Sequence, residues 1–163
     1  MSKPKVAFFD FTCCEGCQIE LTNFGDQAFL ELLNHIEIVE FREGMTEKAD
    51  HIDIAFIEGA IASPEHEEKL KDIRSRSTKL VAVGACAVTG VPASQRNTFT
   101  PEQKEAIQFL VDRFGALPEV KKVADVVTVD ASVPGCPMNA DMFLKAVNGL
   151  VAELRPELVA QTQ

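Results

Sequence analysis

The residues best suited to chemistry are five cysteines: Cys13, Cys14, Cys17, Cys86 and Cys136. The first 30 residues contain no secretory signal pattern, and a reducing compartment disfavours structural disulfides. Cys14 and Cys17 form a C-x-x-C pair, which with Cys86 and Cys136 supplies four thiolates. Four thiolates suit either a tetrahedral zinc ion or a 4Fe-4S cluster. Metal or redox chemistry is therefore the first hypothesis.

The spacing and the neighbouring residues favour the larger cofactor. Structural zinc sites usually combine two close cysteine pairs, whereas here two of the cysteines are single and far along the chain. Glycines stand beside the cysteines and would let the backbone approach a bulky cluster; they are Gly16, Gly84 and Gly135. A flavin is disfavoured because the loop TCCEGC carries an acid and lacks the donors of a phosphate cradle.

The elements that must position these cysteines alternate between strands and helices. Apolar runs predict strands at residues 6–9, 36–41, 52–57, 80–83 and 126–129. Helices are predicted at residues 17–33, after Ser63-Pro64, after Thr100-Pro101 with Gln103 as capping-box partner, and at residues 140–154. This alternation predicts an α/β fold, a flavodoxin-like parallel sheet with helices on both faces. All cysteine segments then follow strands and converge at the carboxyl edge of the sheet.

Length and charge narrow the class of protein. The 163 residues predict a single domain, residues 1–163, and the 46% of apolar residues can fill a core. The formal net charge of −9 argues against a nucleic-acid-binding surface. No apolar run approaches the length of a membrane span, and the chain begins with Met1, so we expect a cytoplasmic protein without direct membrane insertion.

Four motifs then carry a family resemblance: CCEGCQIEL (13–21), IEGAI (57–61), GACAVTG (84–90) and VPGCP (133–137). Together they resemble the small subunit of nickel-iron hydrogenases. They are more loosely similar to the related 20 kDa iron-sulfur subunit of NADH-quinone oxidoreductase, respiratory complex I.

The resemblance implies a set of site residues. Cys14, Cys17, Cys86 and Cys136 would ligate one 4Fe-4S cluster, with Cys13 as a neighbour that is not a ligand. Residues expected around this cluster are Glu15, Gly16, Glu58, Gly84, Gly135 and Pro137. Because no cysteine follows Cys136, the resemblance implies the short, one-cluster type of small subunit without the C-terminal extension for medial and distal clusters.

The function implied by the resemblance is electron transfer in a soluble hydrogenase, an oxidoreductase in which this chain is not itself catalytic. Its expected partners are a large subunit carrying nickel and iron, and flavin or iron-sulfur subunits leading to NAD(P) or ferredoxin. Two alternatives remain open. One is the homologous subunit of a complex I-like or hydrogenlyase membrane assembly, and the other is a structural zinc scaffold.

Overall fold

The protein is built around a five-stranded parallel sheet. The computed structural model describes residues 2–23, 26–42 and 44–159. Strands β1 to β5 span Lys5–Asp10, Glu37–Phe41, Ile52–Glu58, Ser77–Val83 and Ala131–Val133. They lie in the order β2-β1-β3-β4-β5, and every neighbouring pair is parallel. The α/β architecture predicted from the alternation of elements is confirmed.

Helices cover both faces of the sheet. The seven α-helices in the described part of the chain are α1 (Gly16–Thr22), α2 (Asp26–His35), α3 (Pro64–Ser75), α4 (Gly84–Thr89), α5 (Pro101–Arg113), α6 (Ala140–Leu154) and α7 (Pro156–Val159). Short 3-10 helices add Gln95–Thr98 and Val123–Asp125. No described helix combines the length and apolar character that crossing a membrane requires.

The helix starts follow the capping signals in the sequence. Ser63 Oγ accepts a hydrogen bond from His66 N, and Thr100 forms a capping box with Gln103. Both helices place proline in the first turn, where a missing N–H costs nothing. These two predicted helix starts and the predicted bounds of α6 are confirmed.

Side chains of the central strands point alternately to the two faces of the sheet, and both faces are apolar, so these strands form the core. Phe8 of β1 stacks on Phe56 of β3, with ring centroids 5.2 Å apart, and Phe143 of α6 covers both rings. On the opposite face, Phe9 and Ile57 pack in a second core with residues of α3. Burial on both faces explains why these strands read as nearly continuous apolar runs.

Two predicted elements differ from the structure, one in its extent and the other in its position. The helix expected at residues 17–33 is two helices, α1 and α2, with residues 24 and 25 outside the described part of the chain. The strand expected at residues 126–129 is not a strand, and β5 lies just after it. Val126 and Val127 instead donate their N–H groups to Val123 O and pack irregularly on the core. Their apolar character reflects this packing and not pairing with β4.

Candidate functional site

The cysteine segments meet at one pocket at the carboxyl edge of the sheet. The pocket has a volume of about 300 Å³. Its lining includes four of the five cysteines, contributed by three separate loops: Cys14, Cys17, Cys86 and Cys136. Of the predicted surrounding residues, five also line it, namely Gly16, Glu58, Gly84, Gly135 and Pro137. Convergence of distant cysteines, expected from their positions after strands, is therefore present in the fold.

Cys13 lies apart from this set. Its thiol approaches the backbone oxygen of Phe11, with Sγ and O 3.6 Å apart, and Cys13 does not line the pocket. Burial raises the pKa of the Cys13 thiol to about 12. The neighbouring Cys14 is exposed and does line the pocket, so the two adjacent cysteines have different surroundings.

The first loop turns into α1 at Glu15. This residue has a left-handed backbone conformation, with φ of 60°, and its carbonyl accepts the N–H of Ile19. Glu15 does not itself line the pocket. Its main visible contribution is the turn that places Gly16 and Cys17 in the first helical positions.

Glu58 at the end of β3 fixes the start of α1. Its side chain is buried, and its two carboxylate oxygens accept hydrogen bonds from Cys17 N at 3.2 Å and Gln18 N at 3.1 Å. These N–H groups have no partner within a helix, so the carboxylate satisfies donors that would otherwise be orphaned. Glu58 thereby links the end of β3 to the start of α1.

Gly59 is a residue of the site whose importance the sequence interpretation missed. Its φ is 93°, and a Cβ at this position would lie 2.9 Å from the backbone carbon of Phe11. This close approach lets Thr12 and Ala60 exchange two backbone hydrogen bonds, each 3.0 Å long. The glycine after Glu58 in IEGAI was the available signal, because only glycine tolerates both the conformation and the contact.

Glycines keep the pocket open beside the sulfur atoms. A Cβ on Gly84, whose φ is 80°, would lie 2.5 Å from Cys17 Sγ, and one on Gly16 would lie 3.3 Å from Cys14 Sγ. Gly135 has φ of 123°, and its carbonyl accepts the N–H of Ala85 at 2.7 Å. That bond joins the start of α4, which carries Cys86, to the segment that carries Cys136.

Burial disfavours ionisation of the Cys17 and Cys86 thiols. It raises the pKa of Cys17 to about 12, and the nearby negative charge of Glu58 contributes in the same direction. Burial also raises the pKa of Cys86. Because thiolates are the metal-binding form, metal ligation here must displace protons.

The donor set of the pocket consists of four thiols. Among the described residues, no three His, Cys, Asp or Glu side chains are close enough to share a single metal ion. The four cysteines nevertheless surround one pocket, and the glycines leave space beside their sulfur atoms. Four thiols around one pocket are a donor set that would fit an iron-sulfur cluster.

Known proteins resemble the chain over nearly its whole length. It is 29% identical to the sulfhydrogenase 2 subunit delta of Pyrococcus furiosus, an alignment covering 93% of this chain and 64% of that subunit. It is also 29% identical to the NAD-reducing hydrogenase HoxS subunit delta of Cupriavidus necator, covering 91% and 79% respectively. The chain thus spans slightly less than two thirds of the length of the first relative.

Solved structures share the fold. A chain of an NAD⁺-reducing [NiFe]-hydrogenase in the H₂-reduced state superposes with a TM-score of 0.79 and 25% identity, covering 93% of this chain and 92% of that chain. The Ni-Fe-Se hydrogenase of Desulfomicrobium baculatum gives a TM-score of 0.67 at 21% identity, covering 96% and 65%.

The resemblance to hydrogenase small subunits and their complex I relative is confirmed by these similarities and by one family profile. That profile, described as "NADH ubiquinone oxidoreductase, 20 Kd subunit", matches residues 14–150, which include all four cysteines of the pocket. The chain belongs to the family of the 20 kDa subunit of NADH ubiquinone oxidoreductase.

Proposed function

We propose that this chain is the electron-transfer small subunit of a soluble nickel-iron hydrogenase and carries one 4Fe-4S cluster. Its ligands are Cys14, Cys17, Cys86 and Cys136. The observation that carries the proposal is that three loops, distant in sequence, bring these four cysteines to one pocket. The names of the hydrogenase relatives support the same assignment.

A bound 4Fe-4S cluster supplies a one-electron carrier. The residues of this chain hold and surround it. Cys17 and Cys14 come from the turn into α1, and Glu58 fixes that turn through two backbone N–H groups. Gly84 leaves the space beside Cys17 Sγ that any side chain would occupy. In this proposal the chain carries electrons, and the catalytic residues belong to its partner.

The proposed partners lie on either side of the electron path. A large subunit carrying nickel and iron performs the chemistry of H₂, and flavin or iron-sulfur subunits connect the chain to NAD(P) or ferredoxin. The NAD-reducing hydrogenase to which subunit delta belongs supports the NAD-linked version. In this arrangement the protein is a cytoplasmic hetero-oligomer, and residues 1–163 form the single domain that holds the cluster.

A second candidate is the equivalent subunit of a complex I-like or hydrogenlyase membrane assembly. The family profile favours it by name. The adjacent pair Cys13 and Cys14 also favours it, because the resemblance to the complex I subunit implies two adjacent cysteines among the ligands. The position of Cys13 outside the pocket argues for the hydrogenase type. The zinc scaffold has less support, because no three described donors converge on one ion.

Matched cysteine variants test the ligand set. We expect the anaerobically purified complex to contain about four iron and four sulfide per copy of this chain. Cys17→Ala should lose the cluster, whereas Cys13→Ala, a similar change four residues earlier, should retain it. Iron and sulfide analysis and EPR spectroscopy measure both. Loss with Cys13→Ala and retention with Cys17→Ala would instead support the complex I type, and stoichiometric zinc without sulfide would reject the cluster.

The partner is tested separately. Affinity purification of this chain from its native cells should recover a large subunit together with nickel. A large subunit with C-x-x-C pairs near its beginning and end would supply nickel ligands. Recovery of a partner that lacks both pairs and nickel would refute the hydrogenase assignment and favour the quinone-linked relatives.

A further inference from the structure

A second, much smaller cavity lies beneath the cysteine pocket. Its volume is about 10 Å³, close to the space that one water molecule needs. Cys17 and Glu58 line both cavities. Most of the remaining wall is apolar and comes from the sheet, α1, α6 and the segment before α6: Phe8, Phe9, Leu21, Phe56, Val83, Met138 and Phe143.

One polar side chain in this wall has no visible partner. Gln18 is 6% exposed, and neither its amide nitrogen nor its amide oxygen has a hydrogen-bond partner within the described part of the chain. A buried amide without partners costs roughly 1–3 kcal/mol, so native proteins usually satisfy such groups. Every other side chain lining the cavity except Glu58 and Cys17 is hydrophobic.

Glu58 supplies the complementary partner. Each of its oxygens accepts one backbone N–H, and a carboxylate oxygen has a further lone pair to offer. A water molecule needs two to four polar partners to remain in a buried cavity. The Gln18 amide, as donor and acceptor, and the Glu58 carboxylate, as acceptor, together meet that requirement.

We propose that this cavity is a binding site for one structural water molecule, held by the Gln18 amide and the Glu58 carboxylate. The water satisfies the buried amide and ties Gln18 to the carboxylate that fixes the start of α1. The water therefore helps to stabilise the position of the Cys17 backbone, whose N–H donates to the same carboxylate. The site is a property of the folded chain and does not depend on the proposed electron-transfer function.

Crystallography of the unmodified chain or its complex, at a resolution that defines ordered waters, tests the site directly. We expect a density peak within hydrogen-bonding distance of a Gln18 amide atom and a Glu58 oxygen. An empty cavity, or a Gln18 amide bonded to protein atoms alone, overturns the proposal.

Gln18→Met supplies an independent test, because methionine has a similar shape without the amide. The variant strips the water of its main partner, so the unfolding equilibrium constant of the full chain in urea should rise about tenfold. Gln108→Met is the control, because Gln108 is exposed and its side chain donates a hydrogen bond to Asp112 on the surface of the same helix. It should change that constant less than about threefold.

Gln18→Leu repeats the measurement with a different apolar shape. If a water molecule satisfies the Gln18 amide, both apolar variants should be less stable than the unmodified chain. If the amide has no partner, removing it should stabilise the chain or leave its stability unchanged. If either apolar variant is at least as stable as the unmodified chain, the water site is refuted.

Discussion

Replacing Glu58 by glutamine should destabilise the chain by about 2 kcal/mol. Glu58 is 4% exposed, and its two oxygens accept the N–H groups of Cys17 and Gln18. Glutamine keeps one acceptor oxygen but turns an NH₂ group towards the second N–H. A hydrogen bond to a charged group contributes roughly 1.5–3 kcal/mol, and leaving the buried N–H unpaired costs roughly 1–3 kcal/mol. Relief from burying a charge offsets part of this loss, which leaves the estimate of about 2 kcal/mol.

Urea unfolding followed by circular dichroism measures the change. Glu20→Gln is the matched control, because Glu20 also lines the cysteine pocket and the substitution removes the same charge. Within residues 2–23, 26–42 and 44–159, the Glu20 side chain accepts no hydrogen bond from a backbone N–H, so its variant should change stability by less than about 0.5 kcal/mol. Equal losses in both variants, or no loss in Glu58→Gln, would refute the role given to the two backbone bonds.

Under the proposed function, the same two variants should also differ in the reduction potential of the bound cluster. A buried negative charge beside the cysteines disfavours adding an electron to a bound cluster, so Glu58→Gln should raise its reduction potential. The more exposed Glu20 is screened by water, and its variant should cause a smaller shift. EPR-monitored redox titration distinguishes these outcomes, and a potential that is the same in both variants and the unmodified protein would contradict the argument.

Three further perturbations follow from individual contacts. Gly84→Ala adds a Cβ 2.5 Å from Cys17 Sγ in a left-handed conformation, so it should cost roughly 2 kcal/mol in urea unfolding and lower the iron content; full retention of both would contradict the contact. Lys121 donates a hydrogen bond to Glu67 that lowers the pKa of this carboxyl below 4.5. The lowered pKa of Glu67 stabilises the fold above pH 4.5, and this stabilisation is lost as the pH falls through the folded-state pKa. Lys121→Met should therefore lower the free energy of unfolding by less than about 1 kcal/mol at neutral pH. In acid, below the folded-state pKa, the variant and the unmodified chain should be equally stable. Phe114 is 73% exposed, and Phe114→Ser should change the unfolding free energy by less than about 0.5 kcal/mol; a larger loss would mean that its ring is buried.

The central strands could be predicted from sequence because their environment is uniform. β3 is buried along its full length, so its apolar run needs no tertiary information to be recognised. β5 could not be predicted in the same way. It has only three residues, and its pairing with β4 depends on the long excursion between them, whereas the valine-rich stretch before it packs irregularly on the core.

The gathering of the cysteines was predictable for a related reason. In a parallel sheet every loop that follows a strand emerges at the same edge, so Cys86 and Cys136 had to approach the first loop. The burial of Gln18 and the bonds of Glu58 were not predictable, because both depend on how closely α1 sits against β3. The sequence pattern contains the residues but not that distance.

The turn at Glu15 separates the surroundings of Cys13 from those of Cys17. Before the turn, the chain continues from β1 and is held to the segment after β3 by the two bonds between Thr12 and Ala60. Cys13 remains beside the backbone of Phe11. After the left-handed Glu15 the backbone enters α1, and Glu58 captures the N–H of Cys17. Cys17 therefore reaches the pocket in the first turn of α1, whereas Cys13, before the left-handed residue, lies outside the pocket. Cys14 also precedes Glu15 but lines the pocket, so the turn accounts for Cys17 and not for the difference between the two adjacent cysteines.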